Sequence, residues 1–427
     1  MDQVVAARAQ MGTSLAFHIV FAALGVGLPV LALVAEGLWL RTKDRTYYDL
    51  ARTWAKAMAI LFAVGAVSGT NLSFELGLLW PQFMRYAGGI IGLPFSLEGF
   101  AFFIEAIFIG LYLYGWERLS PVGHWLTIVP VAVSGAVSAA FVTCANAWMN
   151  LPTGFSLAGG RIVDVHPFVA MFAPPWQTEV LHTTLAAYVF TGFGVASVYA
   201  LAFLRGKRTA KVLAGLRIAM LLGAVAIPLQ IVAGDLSARF DAQREPVKFA
   251  AMEALFHTQA WAPLTVGGIV DAAHRRTLGA LEIPGGLSFL ASGNPQATVR
   301  GLDAAAPDDL PPVAPVHLAF DLMVGSGTLL LLVALWWFAA TRGRARPIGK
   351  WLVVALGCSG LLALVALEAG WVVTEMGRQP WIARGLLRTT DAVTIAPGVG
   401  AAFAVFSCIY LLLGATCWWL VARLGSA

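Results

Sequence analysis

The sequence predicts an all-α integral membrane protein with nine transmembrane helices, because of its composition, its long apolar stretches and the placement of its tryptophans. Of the 427 residues, 59% are hydrophobic and 12% are charged, about half of the ~25% charged fraction of soluble domains. The mean hydropathy is +0.77. So little polar surface cannot cover a core in water. With four Cys and no low-complexity period, a disulfide scaffold, a collagen-like chain and a disordered chain are also excluded.

Nine apolar stretches have the roughly 20 residues that a helix needs to cross ~30 Å of hydrocarbon. They cover residues 14–40, 54–80, 94–116, 125–149, 179–204, 216–236, 318–340, 351–374 and 396–422. Tryptophans lie at or near their ends, as expected for aromatic belts at the membrane interfaces: Trp39, Trp54, Trp80, Trp116, Trp125, Trp336, Trp337, Trp351, Trp418 and Trp419. Because Asp2 and Arg8 precede the first stretch without a basic region or a small-residue cleavage site, we expect no signal peptide.

The cations predict how the chain is oriented in the membrane. They cluster after predicted helices 1, 5 and 7, as Arg41-Lys43-Arg45, Arg205-Lys207-Arg208-Lys211 and Arg342-Arg344-Arg346. Short connections rich in Lys and Arg stay in the cytoplasm. The N-terminus is therefore expected outside and the C-terminus in the cytoplasm, so the net charge of +5 reflects topology. No basic stripe with interleaved aromatics indicates nucleic-acid binding.

The chain divides into three parts: residues 1–236 with predicted helices 1–6, a long outer loop over 237–317, and residues 318–427 with helices 7–9. Long loops of this kind are usually functional or disordered. The first part of the loop, from Gln243 to Trp261, contains a helix-favouring run, and 284–315 is rich in Pro, Gly and Asp, which predicts an irregular linker. The absence of an internal repeat argues against a transporter built from inverted halves.

Ionisable and ligand-type residues within apolar stretches are functional candidates because burying them in hydrocarbon is costly. They are His18, Glu36, Glu75, Glu98, Glu105, His182, Asp321, Met323, Glu368 and Glu375. Five of them, on five different helices, are predicted at one depth near the outer face: His18, Glu98, His182, Met323 and Glu375. His and Met are common axial haem ligands, and helix-bundle cores hold such sites, so a metal or haem site is predicted. The alternative is that each His hydrogen-bonds a neighbouring helix and that Met323 fills the core.

Two acids of predicted helix 3, Glu98 and Glu105, are seven residues apart and so share one face, roughly 10.5 Å from each other. This spacing suits a proton relay, although a pair of interhelical hydrogen bonds would also explain it. Glu36 follows His18 by five turns on the same face. We consider it as a proton entrance, but favour an interfacial acid that faces water.

The segment from Trp371 to Trp381 combines several ligand-type residues. Glu375 lies one turn after Trp371 on the same face. Pro380 ends the helix at or before Gln379, which predicts that Arg378 and Gln379 lie at the outer surface. Arg378 is suited to holding an acidic group such as a haem propionate by a bidentate hydrogen bond.

The other polar residues receive no functional prediction. Arg384 and Arg388 extend the positive rim of the outer surface, where a solvated basic loop would explain them equally well. The remaining histidines are expected in loops: His124, His166, His257, His274 and His317. The four cysteines lie within apolar stretches without metal-type spacing and are interpreted as small core residues.

Three sequence features together resemble subunit I of cytochrome bd-type quinol oxidases. These are Gly-Arg-Gln-Pro-Trp at 377–381 after Trp-x-x-x-Glu, the Gly-Thr-Ser-Leu-Ala-Phe-His context of His18, and the segment that contains Lys248 and Glu253. The resemblance extends from the first helix to the last, and the loop resembles the short type of this family's quinol loop. Arg-Gly-Leu-Leu-Arg-Thr after the motif is similar to the cyanide-insensitive branch.

The resemblance implies three haems and their ligands. His182 and Met323 match the axial ligands of a low-spin haem b. His18 and Glu375 match the ligands of two high-spin haems, one b-type and one d-type or a third haem b, and which residue binds which haem is left open. Trp371 matches an aromatic beside the haems.

Further roles implied by the resemblance concern the quinol and the protons. Lys248 and Glu253 match loop residues for quinol oxidation, although five residues place them about 140° apart on an ideal helix. Glu98 and Glu105 match acids that carry protons to the oxygen site. The motif residues Arg378, Gln379 and Trp381 are placed at the cofactors.

The implied activity is oxidation of ubiquinol or menaquinol at the outer face and reduction of O2 to water, without pumping. The family works in the bacterial cytoplasmic (inner) membrane, surrounded by lipid, as a heterodimer with oxidase subunit II and sometimes with small single-span subunits. Leu255-Phe256 departs from the expected loop sequence and leaves the quinol type open. Two alternatives are a proton-coupled transporter using Glu98, Glu105 and Glu368, and a haem b protein without oxygen reduction; the intact Glu375 and Arg378 count against the second.

Overall fold

A computed structural model describes residues 2–342 and 348–424 of the chain. Thirteen α-helices occur in the described residues: α1 Gln3–Thr42, α2 Arg45–Leu79, α3 Pro81–Tyr114, α4 Pro121–Asn150, α5 Pro167–Met171, α6 Trp176–Leu204, α7 Ala210–Arg244, α8 Pro246–Met252, α9 Gly286–Ser292, α10 Val313–Thr341, α11 Lys350–Gly377, α12 Thr389–Ala392 and α13 Val399–Leu424. Nine of these, all except α5, α8, α9 and α12, are long and apolar enough to cross a membrane. The prediction of an all-α, multi-pass membrane protein is thus confirmed. Arg344 and Arg346, used above for orientation, lie outside the described residues.

The spanning helices extend beyond the apolar stretches that predicted them. The first begins eleven residues before position 14, after Asp2, whose carboxylate accepts a hydrogen bond from the Val4 amide. Likewise α2 begins after Asp44, which accepts from the Thr46 amide at 2.8 Å. A helix ends where its terminal N–H and C=O groups find other partners, and these caps lie past the apolar residues.

Short antiparallel strand pairs occupy one end of the molecule. The strands of the described residues form five antiparallel pairs: β1 Ser156–Ala158 with β2 Arg161–Val163, β3 Gln259–Ala260 with β8 Thr298–Val299, β4 Leu264–Val266 with β7 Leu281–Ile283, β5 Ile269–Asp271 with β6 Arg276–Leu278, and β9 Trp381–Ala383 with β10 Leu387–Arg388. We call residues 245–312, between α7 and α10, the loop segment.

The loop segment corrects the prediction that 284–315 is an irregular linker. Helix α9, strand β8 and two 3₁₀ turns, Leu302–Ala304 and Pro307–Asp309, lie in it. Gly285 and Gly293 flank α9 with φ of 71° and 77°, a left-handed conformation that glycine adopts without a steric penalty. The glycines that suggested irregular chain therefore delimit a short helix.

Contacts between connections show which helix ends lie together. The Thr394 amide donates to the Leu79 carbonyl at 2.8 Å, and Arg388 donates to Asp309 of the loop segment at 2.6 Å. We call this end of the molecule the loop end. At the opposite end, the ring of Tyr48 lies 5.1 Å from that of Trp116, centroid to centroid.

Close helix contacts depend on small residues, as is usual between membrane helices. Where α6 crosses α7, a Cβ on Gly192 would overlap the backbone of Gly223. Helix α1 contacts α6 where Thr191 donates to the Ala23 carbonyl at 3.1 Å. In addition, α7 and α11 each pack against both α6 and α10, so these four helices form one group.

We predict that Gly192→Ala destabilises the protein, because a methyl group there forces α6 and α7 apart. Overpacking of this kind costs about 1–3 kcal/mol of unfolding free energy. Thermal unfolding of the detergent-solubilised protein measures the effect. Gly194→Ala is the matched control, since a Cβ on Gly194 meets nothing within 4 Å. Equal melting temperatures for the two variants would contradict the close crossing.

Candidate haem and quinol site

His18 of α1 points towards α2. Its Nδ1 lies 2.9 Å from the Ser68 hydroxyl, and a Cβ added to Gly69 would lie 3.0 Å from its Cε1. A polar seam runs from His18 towards the loop end, since Ser14 and Gln10 follow at four-residue intervals on α1 and both donate to Glu75 Oε1, at 2.9 and 3.0 Å.

Glu75, to which the sequence assigned no role, receives hydrogen bonds within this seam. Asn71 also donates to Glu75 Oε1, at 2.9 Å, and Tyr410 of α13 donates to Ser14 at 3.0 Å. Glu75 is 2% exposed, and its other oxygen is buried with no hydrogen-bond partner in the described residues. The carboxylate thus joins α1, α2 and α13 above His18.

His182 and Met323 lie on α6 and α10, the helices that both pack against α7 and α11. The Gln230 amide nitrogen of α7 lies 3.1 and 3.2 Å from the two ring nitrogens of His182. A Cβ on Gly234 of α7 would lie 3.4 Å from His182 Cε1, and one on Gly370 of α11 would lie 3.1 Å from the Met323 sulfur.

These residues fit a haem group. Imidazole and thioether are the axial ligands of haem iron, and each of His18, His182 and Met323 faces a glycine of a neighbouring helix, where a larger residue would fill the space beside the ligand atoms. In the described residues no three His, Cys, Asp or Glu side chains group together as a metal-ion site. Because haem iron takes only one or two protein ligands, isolated ligands on separate helices suffice for it.

Glu375 of α11 is held by one donor on each carboxylate oxygen. Asn146 of α4 donates to Oε1 at 2.9 Å, and Arg378 donates to Oε2 at 2.5 Å. Asn150, one turn after Asn146, accepts from Arg378 at 3.4 Å and donates to Glu179 of α6 at 2.9 Å. This network ties α4, α6 and α11 together.

The position of Arg378 corrects the prediction that it lies at the outer surface. Its side chain is 2% exposed, because the backbone at Arg378 keeps a right-handed helical conformation past Gly377 and turns the side chain back onto Glu375. Gln379 accepts a hydrogen bond from Thr389 at 2.9 Å. Trp371 reaches α1, where a Cβ on Gly12 would lie 3.8 Å from its ring.

Lys248 of α8 is buried within a cluster of carboxylates. Its ammonium lies 3.1 Å from Glu245 and 3.2 Å from Asp241, and Arg384 lies 3.5 Å from the same oxygen of Glu245. Burial alone would lower the pKa of Lys248, but the carboxylates of Asp241 and Glu245 raise it well above its usual value. Lys248 is therefore a charged, fully paired ammonium.

Lys248 also places the loop segment against the motif at 377–381. A Cβ on Gly377 would lie 3.0 Å from the Lys248 side chain. A cavity of about 280 Å³ opens here, and its lining includes Lys248, Arg378, Gln379, Trp381 and Arg384. The structure thus brings one predicted quinol residue to three of the predicted cofactor residues.

Glu253 has different surroundings from Lys248. It follows the last residue of α8, is 3% exposed, and one of its carboxylate oxygens has no hydrogen-bond partner in the described residues. Burial and the nearby carboxylate of Asp321 raise the pKa of Glu253 to about 8. Ala254, next in the chain, has φ of 48°, a conformation that costs free energy for a residue with a Cβ. Lys248 and Glu253 therefore meet different charged groups.

Three further predictions are wrong. His317 and His124 were expected in loops but lie in α10 and α4, 1% and 2% exposed, because both helices begin before the apolar stretches that predicted them. Glu36 was expected to face water, yet it is 0% exposed because His124 covers it, with 2.6 Å between His124 Nδ1 and Glu36 Oε1.

His317 joins the loop segment to α10. Its Nδ1 lies 2.8 Å from the Met252 carbonyl and its Nε2 lies 3.4 Å from Asp321. Asp321 in turn accepts from the Gly267 amide at 2.9 Å. His317 thereby fixes the chain immediately before Glu253.

Glu98 and Glu105 of α3 both face α4. Ser138 donates to Glu98 at 3.1 Å, and Cβ atoms on Gly135 and Gly25 would lie 3.6 and 3.8 Å from Glu105. The stepped arrangement expected from their spacing is present.

Sequence reasoning missed Asp241, Glu245 and Glu179. Glu179 lies one turn before His182. Asp241 and Glu245 do not stand out in the sequence, because they lie among other charged residues at a helix end. The seven-residue spacing of Lys248 from Asp241 was an available signal.

In the described residues, nine helices able to span a membrane surround partly buried His, Met and Glu side chains, which defines a multi-pass membrane protein with ligands of the haem type. The family model described as cytochrome bd terminal oxidase subunit I matches residues 6–427, and the chain belongs to this family.

Relatives and a solved structure match almost the whole chain. It is 38% identical over 422 residues to a putative cytochrome bd menaquinol oxidase subunit I of Bacillus subtilis (strain 168), covering 97% of this chain and 95% of the relative. It is 31% identical to the cytochrome bd-II ubiquinol oxidase subunit 1 of Escherichia coli (strain K12), covering 92% and 90%. The bd oxidase structure from Geobacillus thermodenitrificans superposes with a TM-score of 0.95 at 37% identity, covering 100% and 98% of the two chains.

We predict that Glu253 makes stability fall as the pH rises. Its pKa in the folded state, about 8, lies above the ordinary value of 4.5. The folded state therefore favours the protonated carboxyl, and this stabilisation is full below pH 4.5 and is lost as the pH rises through about 8. Melting temperatures of wild type and Glu253→Gln between pH 5 and pH 9 measure the effect, with a smaller fall expected for the variant.

Glu282→Gln is the control, since Glu282 is an exposed carboxylate in the same loop segment. If Glu253→Gln and Glu282→Gln lose melting temperature with pH as steeply as wild type, Glu253 does not titrate as its burial requires.

Proposed function

We propose that this chain is the haem-bearing catalytic subunit of a bd-type terminal oxidase, which oxidises quinol at the loop end and reduces O2 to water. The observation that carries the proposal is the contact of Lys248 with Gly377, beside the buried Arg378 and its partner Glu375. At one cavity, a residue of the quinol type thus lies beside Arg378, which pairs with the haem-type ligand Glu375. Family membership supports the same activity, and the named relatives are menaquinol and ubiquinol oxidase subunits.

The candidate ligands suit three haems. His182 and Met323 would hold the low-spin haem b, while His18 and Glu375 would each hold one high-spin haem, one of them b-type and the other d-type or a third haem b. When bound, the haems supply one-electron transfer and a free iron face for oxygen. The protein's own task at Glu375 is orientation, because Asn146 and Arg378 fix one carboxylate oxygen each.

At the loop end, the protein binds the quinol head group and takes its protons. The cavity beside Lys248 is lined by hydrogen-bond donors of Arg378, Gln379 and Trp381. Glu253, with a pKa of about 8, is matched to accepting a proton near neutral pH, since an effective general base titrates near the working pH. Lys248 itself neutralises Asp241 and Glu245, so we assign it to holding the loop segment in place.

Protons for water formation would pass along α3. Glu105 and Glu98 face the same helix, α4, with Ser138 donating to Glu98. With the loop end outside and the C-terminus in the cytoplasm, protons released from quinol leave on one side and those consumed arrive from the other. Each charge moved stores ~2.3 kcal/mol per 100 mV without a pump.

The protein would work in the bacterial cytoplasmic membrane as a heterodimer with oxidase subunit II. In the apolar windows of α2 and α13 only 11% of residues are buried within the chain, which leaves surface for subunit II, for small single-span subunits and for lipid. The relatives include both a menaquinol and a ubiquinol oxidase subunit, so either quinol remains a candidate substrate.

A reduced-minus-oxidised visible spectrum of the purified complex, repeated with carbon monoxide, tests the proposed function. We expect a low-spin b band together with a red-shifted, CO-sensitive d-type band. A spectrum with b-type haem only, part of which binds CO, would support the oxidase activity with a third haem b in place of haem d. A colourless complex would overturn the proposal and favour a proton-coupled transporter that uses Glu98, Glu105 and Glu368.

His182→Ala and Met323→Leu should each abolish the low-spin haem signal and leave the high-spin haems, because each variant removes one axial ligand. Oxygen uptake with quinol should fall to background in both. The same visible spectrum measures the loss, and His166→Gln, an exposed histidine, is the control. A full low-spin signal in either variant would show that the ligand assignment is wrong.

A further inference from the structure

Glu36, Tyr112 and His124 meet at the end of the molecule opposite the loop end, on α1, α3 and α4. His124 Nδ1 lies 2.6 Å from Glu36 Oε1, and its Nε2 lies 2.8 Å from the backbone carbonyl oxygen of Tyr112. The exposures of Glu36, His124 and Tyr112 are 0%, 2% and 0%. The pair of Glu36 and His124, which we call the dyad, is thus sealed between three spanning helices.

The partners of the dyad fix how many protons it holds. A carbonyl oxygen only accepts, so Nε2 carries a hydrogen and donates it to Tyr112. At 2.6 Å, Nδ1 and Glu36 Oε1 share one further proton, either as imidazolium and carboxylate or as imidazole and carboxylic acid. Both forms have zero net charge, so moving the shared proton does not change the charge buried in this low-dielectric site.

The dyad has an unused position for a second proton. The other carboxylate oxygen of Glu36 and the phenol oxygen of Tyr112 are both buried without a well-formed hydrogen bond in the described residues, and the Tyr112 side chain faces Glu36. Buried polar atoms in proteins are nearly always satisfied. Two adjacent exceptions on one cluster indicate a place where a water molecule or a transferred proton is accommodated.

Three helices align the dyad with Glu105. On α3, Tyr112 follows Glu105 by seven residues, which is two turns on the same face. On α1, Glu36 follows Gly25 by eleven residues, about three turns, and on α4 Gly135 follows His124 by the same number. Gly25 and Gly135 are the two glycines that face the Glu105 carboxylate. A single seam between α1, α3 and α4 therefore runs from the dyad to Glu105.

Aromatic rings pack against the dyad at the end of the molecule opposite the loop end. The ring centroids of Trp116 and Tyr112 lie 4.1 and 4.6 Å from that of His124. The guanidinium of Arg52 on α2 lies 5.7 Å from the centre of the Trp116 ring, and Tyr48 packs on the same ring. Among these groups, Glu36 and His124 are the acid and the base that share a proton across a 2.6 Å contact.

We propose that the dyad of Glu36 and His124 is the proton-uptake group of this oxidase and that it delivers protons to Glu105 along the seam. The inference rests on the proposed function and adds the residues that take protons from the cytoplasmic side. The competing explanation is a latch that only holds α1, α3 and α4 together.

Glu36→Gln separates the two explanations. The amide donates to Nδ1 of a neutral His124 ring while Nε2 still donates to the Tyr112 carbonyl, so the latch persists and the shared proton is lost. In the purified two-subunit oxidase we expect oxygen uptake with a soluble quinol to fall tenfold or more, since a positioned acid–base group contributes ~10²–10⁴-fold. The loss of oxygen uptake relative to wild type should become larger as the pH rises. Haem content and anaerobic haem reduction by quinol should match wild type.

Control variants distinguish a failure of the dyad proposal from a failure of the proposed oxidase function. Glu105→Gln should be as slow as Glu36→Gln, and the exposed His166→Gln should match wild type. If Glu36→Gln has the turnover and pH profile of wild type while Glu105→Gln is slow, the dyad only holds the three helices together. The proton relay through Glu105 would then still stand. A wild-type complex that takes up no oxygen would instead overturn the proposed function.

If the Glu36→Gln protein does not assemble, a second variant, His124→Gln, tests the same proposal. In His124→Gln the carboxylate of Glu36 remains, and the proposal requires slow turnover with retained haem and a deuterium-sensitive carboxyl infrared band that differs from wild type. An unchanged band and unchanged turnover would show that the dyad is not the proton-uptake group.

Discussion

The arrangement of the loop end depends on the ion pair between the buried Arg378 and the partly buried Glu375. A charge taken from water into this environment is costly unless a partner and hydrogen bonds compensate it, and both side chains have them through Asn146 and Asn150 of α4. The pair therefore couples the position of a candidate iron ligand to two helices at once. Removing Glu375 would leave the guanidinium of Arg378 buried without its charged partner, so the pair constrains α4 and α11.

The same constraint recurs across the membrane-spanning part. Hydrocarbon offers no hydrogen bonds, so each buried polar group must find its partner within the protein. Glu75 collects three donors from α1 and α2, and Glu36 pairs with His124 of α4. Polar seams, rather than apolar side chains that pack equally well against lipid, fix which helices are neighbours and in what register.

Apolar length and motif spacing predict the nine spans, the shared face of Glu98 and Glu105 and the cluster at 371–381, because each depends on residues close in sequence. The burial of Glu36, His124 and Arg378 could not be predicted in this way. A charged residue near the end of an apolar stretch looks interfacial on a single-residue scale, yet its burial depends on a partner from a distant helix. His124 covers Glu36 across 88 residues of chain, and no local pattern records that contact.

The placement of the two proton-active regions has an energetic consequence. Glu253 and the cavity beside Lys248 lie at the loop end, on α8 and α11, whereas Glu36 and His124 lie at the opposite end, on α1 and α4. Helices of 28 to 40 residues, α11 and α1 among them, separate these regions by the thickness of a membrane. A reaction that releases protons at one region and takes them up at the other therefore conserves energy through position alone. The seam of α1, α3 and α4 needs only to carry protons from the dyad to Glu105, and the dyad holds its own shared proton without a net buried charge.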